Sequence, residues 1–326
     1  MSVKKDLLSI LEANREQDLS GEELAGKLGV SRTSIWKAIK ALKSEGYQIE
    51  AVNNRGYRLL EMTDVLSEEG IRLELDDRCR NFPIKVFKTI DSTNVEAKRI
   101  ALENGIHGTI LLAEEQTKGK GRLGRSFYSP ANTGIYMSIL LKPELAGSDA
   151  ILITTAASVA VCRGIRNVLG ICPQIKWVND VYWEDRKICG ILTEAVSDFE
   201  VGKIDTVVVG IGINYKTEDF PQDLEKRAGS VAKDTSVPRN RLAAAVINEF
   251  WEIYSHLTDR SFMKEYREYS NVIGKEIRFL EQDVWREGRA LDIDDDGGLV
   301  VECLEEEGKN QVRVLHTGEI TLRVKE

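Results

Sequence analysis

The stretch Thr117-Lys-Gly-Lys-Gly-Arg-Leu-Gly-Arg-Ser126 constrains this chain more than any other. Three glycines alternate with four basic side chains, and no acid interrupts them. Glycine adopts positive φ freely and holds no shape of its own. The segment therefore reads as a mobile loop that can lay backbone N–H groups on something small. Its cations say that this something is anionic: a carboxylate, a triphosphate, or the two being joined. The spacing excludes two common phosphate loops. No Ser or Thr follows a Lys as G-x-x-x-x-G-K-[ST] requires. Gly119-x-Gly121-x-x-Gly124 matches a dinucleotide fingerprint only in its glycines, because Lys120, Arg122 and Arg125 stand where small apolar residues belong. A solvated surface loop is the plain alternative.

The strand-like Thr109–Gln116 delivers the chain to this loop, and Gln116 can offer a donor and an acceptor together. Phe127-Tyr-Ser-Pro130 turns the chain into a second strand, Gly134–Lys142. Ahead of both, Ile84–Ile90 alternates like a strand and runs into Asp91-Ser-Thr-Asn94 and a helix that stops near Gly105. Thr93 and Glu96 are spaced as a capping box, so this polar cluster needs no role beyond starting a helix. Ile151–Leu169 reads as a largely buried helix. Lys176-Trp-Val-Asn-Asp180 precedes a hairpin whose second strand begins at Lys187. A lysine entering a buried strand is costly unless it meets an anion. A side chain that snorkels to the surface is the equal alternative. In the core strand Thr206–Asn214, Gly210 and Gly212 mark close approach of a ligand or of backbone. Arg241–His256 is an amphipathic helix.

The first 62 residues have a different character. Leu7, Leu8, Ile10 and Leu11 make one helical stripe. Ser20 and Glu23 form a capping box for a short helix that ends at Gly29, and Ser31 caps a third helix that ends at Gly46. Ile35, Ile39 and Leu42 form its buried face. Trp36 and the basic residues are left outward or at the edges. Tyr47–Leu59 reads as a hairpin that turns at Asn53-Asn-Arg-Gly56. That order is a winged helix-turn-helix, with the third helix for the major groove of operator DNA. Arg32, Thr33 and Ser34 can reach base edges. Lys37 and Lys40 suit phosphates, and Arg55 and Arg58 in the wing can touch the DNA backbone. One such head covers one half-site, which implies a homodimer. A small protein-interaction module is the alternative. The whole chain carries −8, but residues 1–62 hold 10 Lys+Arg against 9 Asp+Glu, so the overall charge does not veto DNA binding.

Residues 62–70 look like a connection. From Gly274 onward, short strands with Gly and Asp turns indicate a small, closed or nearly closed β-barrel. The expected fold is α+β: a winged helix-turn-helix over 1–64, a mixed α/β domain over 65–273 and an SH3-like barrel over 274–326. Five cysteines without a C-x-x-C and three scattered histidines argue against a disulfide framework or a zinc site, and for buried free thiols in a reducing cytosol. The N-terminal apolar run is too short for a signal peptide. The run Ile151–Cys162 falls short of the roughly 20 residues that span a bilayer, so no membrane is expected and a cytoplasmic location is.

Together these pieces resemble the bifunctional biotin protein ligases that also repress the biotin operon. The resemblance covers the whole chain. It rests on the order and spacing of Asp91-Ser-Thr-Asn94, Gln116 with Gly119–Arg125, Lys176–Asp180, Lys187, Gly190–Glu194, Gly210–Asn214 and Gly318–Arg323. It implies adenylation of biotin by ATP with Mg²⁺, then transfer of the biotinyl group to a lysine of the biotin carboxyl carrier protein.

By this resemblance, Ser92, Thr93, Asn94 and Gln116 hold the ureido ring. Lys120, Gly121 and Arg122 fold over the carboxylate and phosphate. Lys187 contacts the reacting carboxylate, and Asp180 positions it or the metal. Arg125, Phe127, Asn179, Asn214 and Arg323 belong to the nucleotide. The chain departs from the family at Lys120, usually Arg, which exchanges a planar fork for a point charge. It departs again at Phe127, where Trp is common. A lipoate protein ligase and a non-catalytic sensor of a small molecule are the rival expectations.

Overall fold

In a computed structural model, residues 2–143, 150–197, 204–232, 237–281, 284–304, 310–316 and 320–322 are described. The first unit is α1 (Val3–Glu12), α2 (Gly21–Leu28), α3 (Arg32–Ser44) and the hairpin β1 (Ile49–Val52) and β2 (Gly56–Leu59). Ser20 Oγ accepts from Glu23 N at 3.0 Å and Ser31 Oγ from Ser34 N at 3.2 Å, so both expected caps form. Gly29 ends α2 in the left-handed region at φ 62°. Leu7, Leu11, Leu24, Ile35, Leu42 and Leu59 are fully buried between the helices and the wing.

The expected connection is instead packed on both sides. Ser67 caps α4 (Glu68–Leu73), and residues 60–67 form a strap. From the head, Arg15 Nη1 donates to Glu61 O at 2.9 Å and Thr63 O at 3.0 Å. From the body, Arg239 donates from its backbone N to Asp64 Oδ1 at 2.8 Å and from Nη2 to Asp64 O at 2.8 Å. Asn240 closes on Val65 O and Ser67 N, both at 3.0 Å. Arg239 is 0 % exposed, and its Nη1 also meets Glu114 Oε2 at 2.6 Å and Gly134 O at 3.0 Å.

The body is a seven-stranded sheet built from β3 (Ile84–Phe87), β4 (Ile110–Ala113), β5 (Gly134–Leu141), β6 (Gln174–Lys176), β7 (Asp180–Trp183), β8 (Arg186–Ser197) and β9 (Ile204–Asn214). Its order is β3-β4-β5-β9-β8-β7-β6, with β3–β4 parallel and every other pair antiparallel. The helix α5 (Thr93–Leu102) packs on β5 and β9. The long α6 (Ala150–Leu169) packs with α7 (Arg239–Tyr254), α8 (Met263–Tyr269) and β8. The apolar run starting at Ile151 continues to Leu169, beyond Cys162. It is long and apolar enough to cross a membrane by length and composition, with a mean hydropathy of 1.3, yet 72 % of it is buried in the protein.

The C-terminal unit is an antiparallel sheet of β10 (Glu276–Glu281), β11 (Val284–Ile293), β12 (Leu299–Leu304), β13 (Asn310–Leu315) and β14 (Ile320–Leu322), in the order β13-β12-β11-β10-β14. Among the described residues β13 pairs with β12 alone and β14 with β10 alone, so the pairing describes a sheet without establishing closure. Trp177 Nε1 donates to Gly297 O at 2.9 Å, and Arg267 Nη1 to Ile293 O at 2.9 Å, which docks this sheet beneath the β6–β7 turn. All five cysteines are free. Four are buried as expected, but Cys172 is exposed.

Candidate functional site

The expected capping box at Thr93 and Glu96 does not form. Ser92 is the N-cap residue of α5 and makes no side-chain cap bond. Glu96 pairs instead with Arg99 at 3.1 Å. The Thr93 hydroxyl is spent on Gln116: Thr93 N and Oγ1 donate to Gln116 Oε1 at 2.8 and 3.1 Å. Gln116 Nε2 in turn donates to Ser129 Oγ at 3.0 Å. Ser138, fully buried on β5, lies 2.7 Å from Thr93 Oγ1 and 2.6 Å from Asn94 Oδ1. Asn94 Nδ2 then reaches Glu194 Oε2 at 2.9 Å, and Lys98 pairs with the same carboxylate. The start of α5 is thus a polar cluster facing the sheet. A cap alone would leave its groups elsewhere.

Burial alone would push the Glu194 carboxyl up. The hydrogen bonds from Lys98 and Asn94, helped by the charges of Lys98 and Lys120, hold it below the usual carboxylate range. Asp91 is held low chiefly by the N–H of Ser92, and also by Arg99.

The glycines of β8 and β9 face this cluster. A Cβ built on Gly210 would collide with the Asn94 carboxamide, and one on Gly212 would come within 2.6 Å of the Phe127 ring. A Cβ on Gly190 would lie 3.2 Å from Lys187 Cε and 3.3 Å from Phe127. The close approach expected at the strand glycines is therefore made by side chains of the site itself. Sequence alone could not name Asn94 and Phe127 as partners, because both lie far from these glycines along the chain.

The basic loop is folded on itself. Gly121 N donates to Arg125 O at 2.8 Å and Phe127 N to Gly119 O at 2.9 Å, while Lys118 N reaches Asp91 O at 2.8 Å. Leu123 and Gly124 turn its tip at φ 55° and 73°. Lys120 and Arg125 are exposed, and Arg122 Nη1 donates to Asn179 Oδ1 at 2.9 Å. Asn179 is itself anchored through Nδ2 to Ile191 O at 2.8 Å. Lys187 Nζ lies 2.7 Å from Asp180 Oδ1, and its side chain is one-third exposed, so the ammonium meets an anion while still reaching the surface. Asn214 Nδ2 donates to Lys187 O at 3.4 Å.

The structure thus gathers Thr93, Asn94, Gln116, Phe127, Asn179, Asp180, Lys187 and Asn214 around the glycine faces of β8 and β9. Arg323 lies outside the described residues. Sequence reasoning missed Ser138, Ser129, Lys98 and Glu194. None stands in a recognisable spacing, although Glu194 closes the Gly190–Glu194 segment. A cavity of about 680 Å³ at the C-terminal end of α6, lined by Val168, Trp183, Arg186 and Val231, contains none of the candidate residues.

On the head, Arg32, Thr33, Lys37, Lys40 and Arg55 are exposed, and Ser34 is partly covered with its Oγ 3.0 Å from that of Ser31. Arg58 is partly covered and pairs with Asp18 at 2.6 Å, and the same carboxylate reaches Arg55 at 3.4 Å.

Comparison with known proteins agrees with this architecture unit by unit. Residues 3–58 match an HTH domain, residues 86–214 the biotin/lipoate A/B protein ligase family, and residues 272–323 the biotin protein ligase C terminal domain. The bifunctional ligase/repressor BirA of Bacillus spizizenii is 33 % identical over 311 residues, covering 93 % of this chain and 95 % of that protein. The bifunctional ligase/repressor BirA of Escherichia coli is 29 % identical over 310 residues, covering 93 % and 92 %. The biotin protein ligase from Aquifex aeolicus, solved in complex with biotin and ATP, superposes with a TM-score of 0.61 at 27 % identity, over 74 % of this chain and 99 % of that one. A head, a ligase body and a C-terminal unit in this order, matched along nearly their whole length, place the chain in the family of bifunctional biotin protein ligases and repressors.

Proposed function

We propose that the residues gathered on the glycine faces of β8 and β9 bind biotin and ATP and join them. The observation that carries this reading is the closed set Thr93–Gln116–Ser138–Asn94, which presents donors and acceptors together within a buried cluster. A ureido ring, with two N–H groups and one carbonyl, fits such a set. The dithiolane of lipoate offers it nothing, and a site built to hydrogen-bond rejects a ligand that cannot.

In the first step a biotin carboxylate oxygen bonds to the α-phosphorus of ATP. The bond from that phosphorus to the β-bridging oxygen breaks, and pyrophosphate leaves with the electron pair. In the second step the free amine of a carrier-protein lysine attacks the acyl carbon, AMP departs with the bonding pair, and the amine loses its proton. Two anions must meet in the first step, so positioned cations carry the rate. Lys187, steadied by Asp180, faces the carboxylate. Arg122, steadied by Asn179, and Lys120 with Gly121 close over the phosphate. Ser92 stands beside the ureido set. Arg125, Phe127, Asn214 and Arg323 serve the nucleotide.

Among the described residues no three His, Cys, Asp or Glu side chains converge on one point. Mg²⁺ would arrive on the triphosphate, as part of the substrate. The C-terminal sheet closes as an SH3-like barrel. The head binds operator DNA as a homodimer that the acyl-adenylate promotes.

Pyrophosphate release from ATP with biotin or with lipoate tests the reading. Release with biotin alone supports it, release with lipoate alone replaces it by a lipoate ligase, and release with neither leaves only a sensor. Sedimentation with and without biotin and MgATP tests the dimer: unchanged association refutes the coupling.

A further inference from the structure

Helix α3 carries a tryptophan that its own unit does not bury. Trp36 is 53 % exposed, whereas Ile35, Ala38, Ile39 and Leu42 on the same helix are buried in the head. Leaving an indole in water forfeits a large apolar area, and what this one faces is set by its neighbours. Thr33, Trp36, Lys37 and Lys40 are all exposed and fall at intervals of three, four and seven from Thr33. That spacing is the base-reading row of a groove-entering helix, one face of consecutive turns. The helix holds four basic residues and no acid. Such a surface complements the phosphate wall of a duplex.

Lys40 Nζ sits 5.5 Å from the centre of the Trp36 ring, on the same face of the helix. An indole in the major groove has one apolar partner on the base edges, the C5-methyl of thymine.

We propose that Trp36 is a specificity-determining residue of the head and packs against a thymine methyl in each half-site, while Lys37 and Lys40 hold the flanking phosphates. The inference rests on the reading of the head as operator-binding. It concerns one residue that the groups first expected to reach DNA did not include.

The test uses the full chain with biotin and MgATP, and a duplex that the protein itself selects from a random pool. Each thymine of that duplex is replaced in turn by deoxyuridine, which removes only the methyl. One position per half-site is expected to cost the wild-type protein about five- to tenfold in affinity, the scale of a single imperfect base contact. Trp36→Ala should lose about as much on the thymine duplex and nothing further on the uracil one. Its salt slope should match that of wild type, whereas Lys37→Ala should lower the slope by about one. Trp36→Tyr should recover part of the methyl discrimination. Thermal midpoints of the variants report whether the head remains folded, and the exposed position predicts that they do.

Equal sensitivity to deoxyuridine in wild type and Trp36→Ala, or no sensitivity in either, overturns the proposal while the DNA-binding reading stands. Failure of the wild-type chain to select any sequence overturns both.

Discussion

Asn94 occupies the space into which Gly210 would project a side chain, so the carboxamide of one residue and the missing Cβ of the other form a single fitted contact across α5 and β9. The same logic sets Phe127 over Gly212, where an added Cβ would lie 2.6 Å from the ring. Gly210→Ala is therefore expected to displace Asn94 from Ser138 and Glu194 and to weaken biotin, while Gly212→Ala displaces Phe127 and weakens ATP. Overpacking of this kind costs about 1–3 kcal/mol. Steady-state pyrophosphate release should show a KM for biotin raised roughly tenfold in the first variant, against a raised KM for ATP in the second. A shared effect on both substrates would refute the division.

Lys187 and Asp180 form a partly exposed pair at the opposite edge of the site. Lys187→Ala should lower kcat/KM for adenylation about 10²- to 10³-fold, the usual loss when one charge-stabilising group is removed. Its unfolding midpoint should barely move, because the lysine is not part of the core. Asp180→Asn keeps the cation and should cost less. An unaltered rate in Lys187→Ala would remove this lysine from the chemistry.

Arg239 is the largest fully buried side chain, and it serves Asp64, Glu114 and Gly134 at once. Replacing it with leucine strands the buried Glu114 carboxylate and takes the guanidinium from the partly exposed Asp64, which costs about 3–5 kcal/mol. The urea midpoint should fall accordingly. Arg239→Lys should not restore it, because an ammonium cannot span the fork that the guanidinium fills. Recovery of full stability by lysine would show that charge alone matters there.

Glu194 has its carboxyl held low by Lys98 and Asn94 against the opposing pull of burial. A depressed folded pKa adds stability that is present above the unfolded carboxylate value and is lost as pH falls through the folded one. Stability of the wild-type body should therefore drop on acidification below about pH 4.5. Glu194→Gln should be less stable at neutral pH and should lose less over that acid range. Parallel acid-denaturation curves for the two proteins would show that the carboxylate is not held in this way.

Much of this architecture is written locally. Ser20, Ser31, Gly29 and the Asn53–Gly56 turn act within a few residues, so the head can be read from propensity and capping alone. The candidate site is legible as a set of types, through Gln116, the basic loop, Lys187 and the strand glycines, because each violates what its element would otherwise prefer. What sequence does not show is long-range pairing. Thr93 looks like half of a capping box until Gln116, 23 positions on, claims its hydroxyl. The 62–70 segment looks like a loose connection until Arg239 and Asn240, from 170 or more positions away, close on it. The pairing of Lys98 with Glu194 carries no signal, because a salt bridge between two charged residues about a hundred positions apart has no pattern in one dimension.

The strap over residues 60–67 has a mechanical meaning. Gripped by Arg15 on one side and by Arg239 and Asn240 on the other, it leaves the reading head no slack relative to the enzyme that carries it. In the proposed homodimer, the contact between two bodies would then set the gap between their two recognition helices, and the spacing of half-sites on the DNA would be a ruler of how the bodies meet.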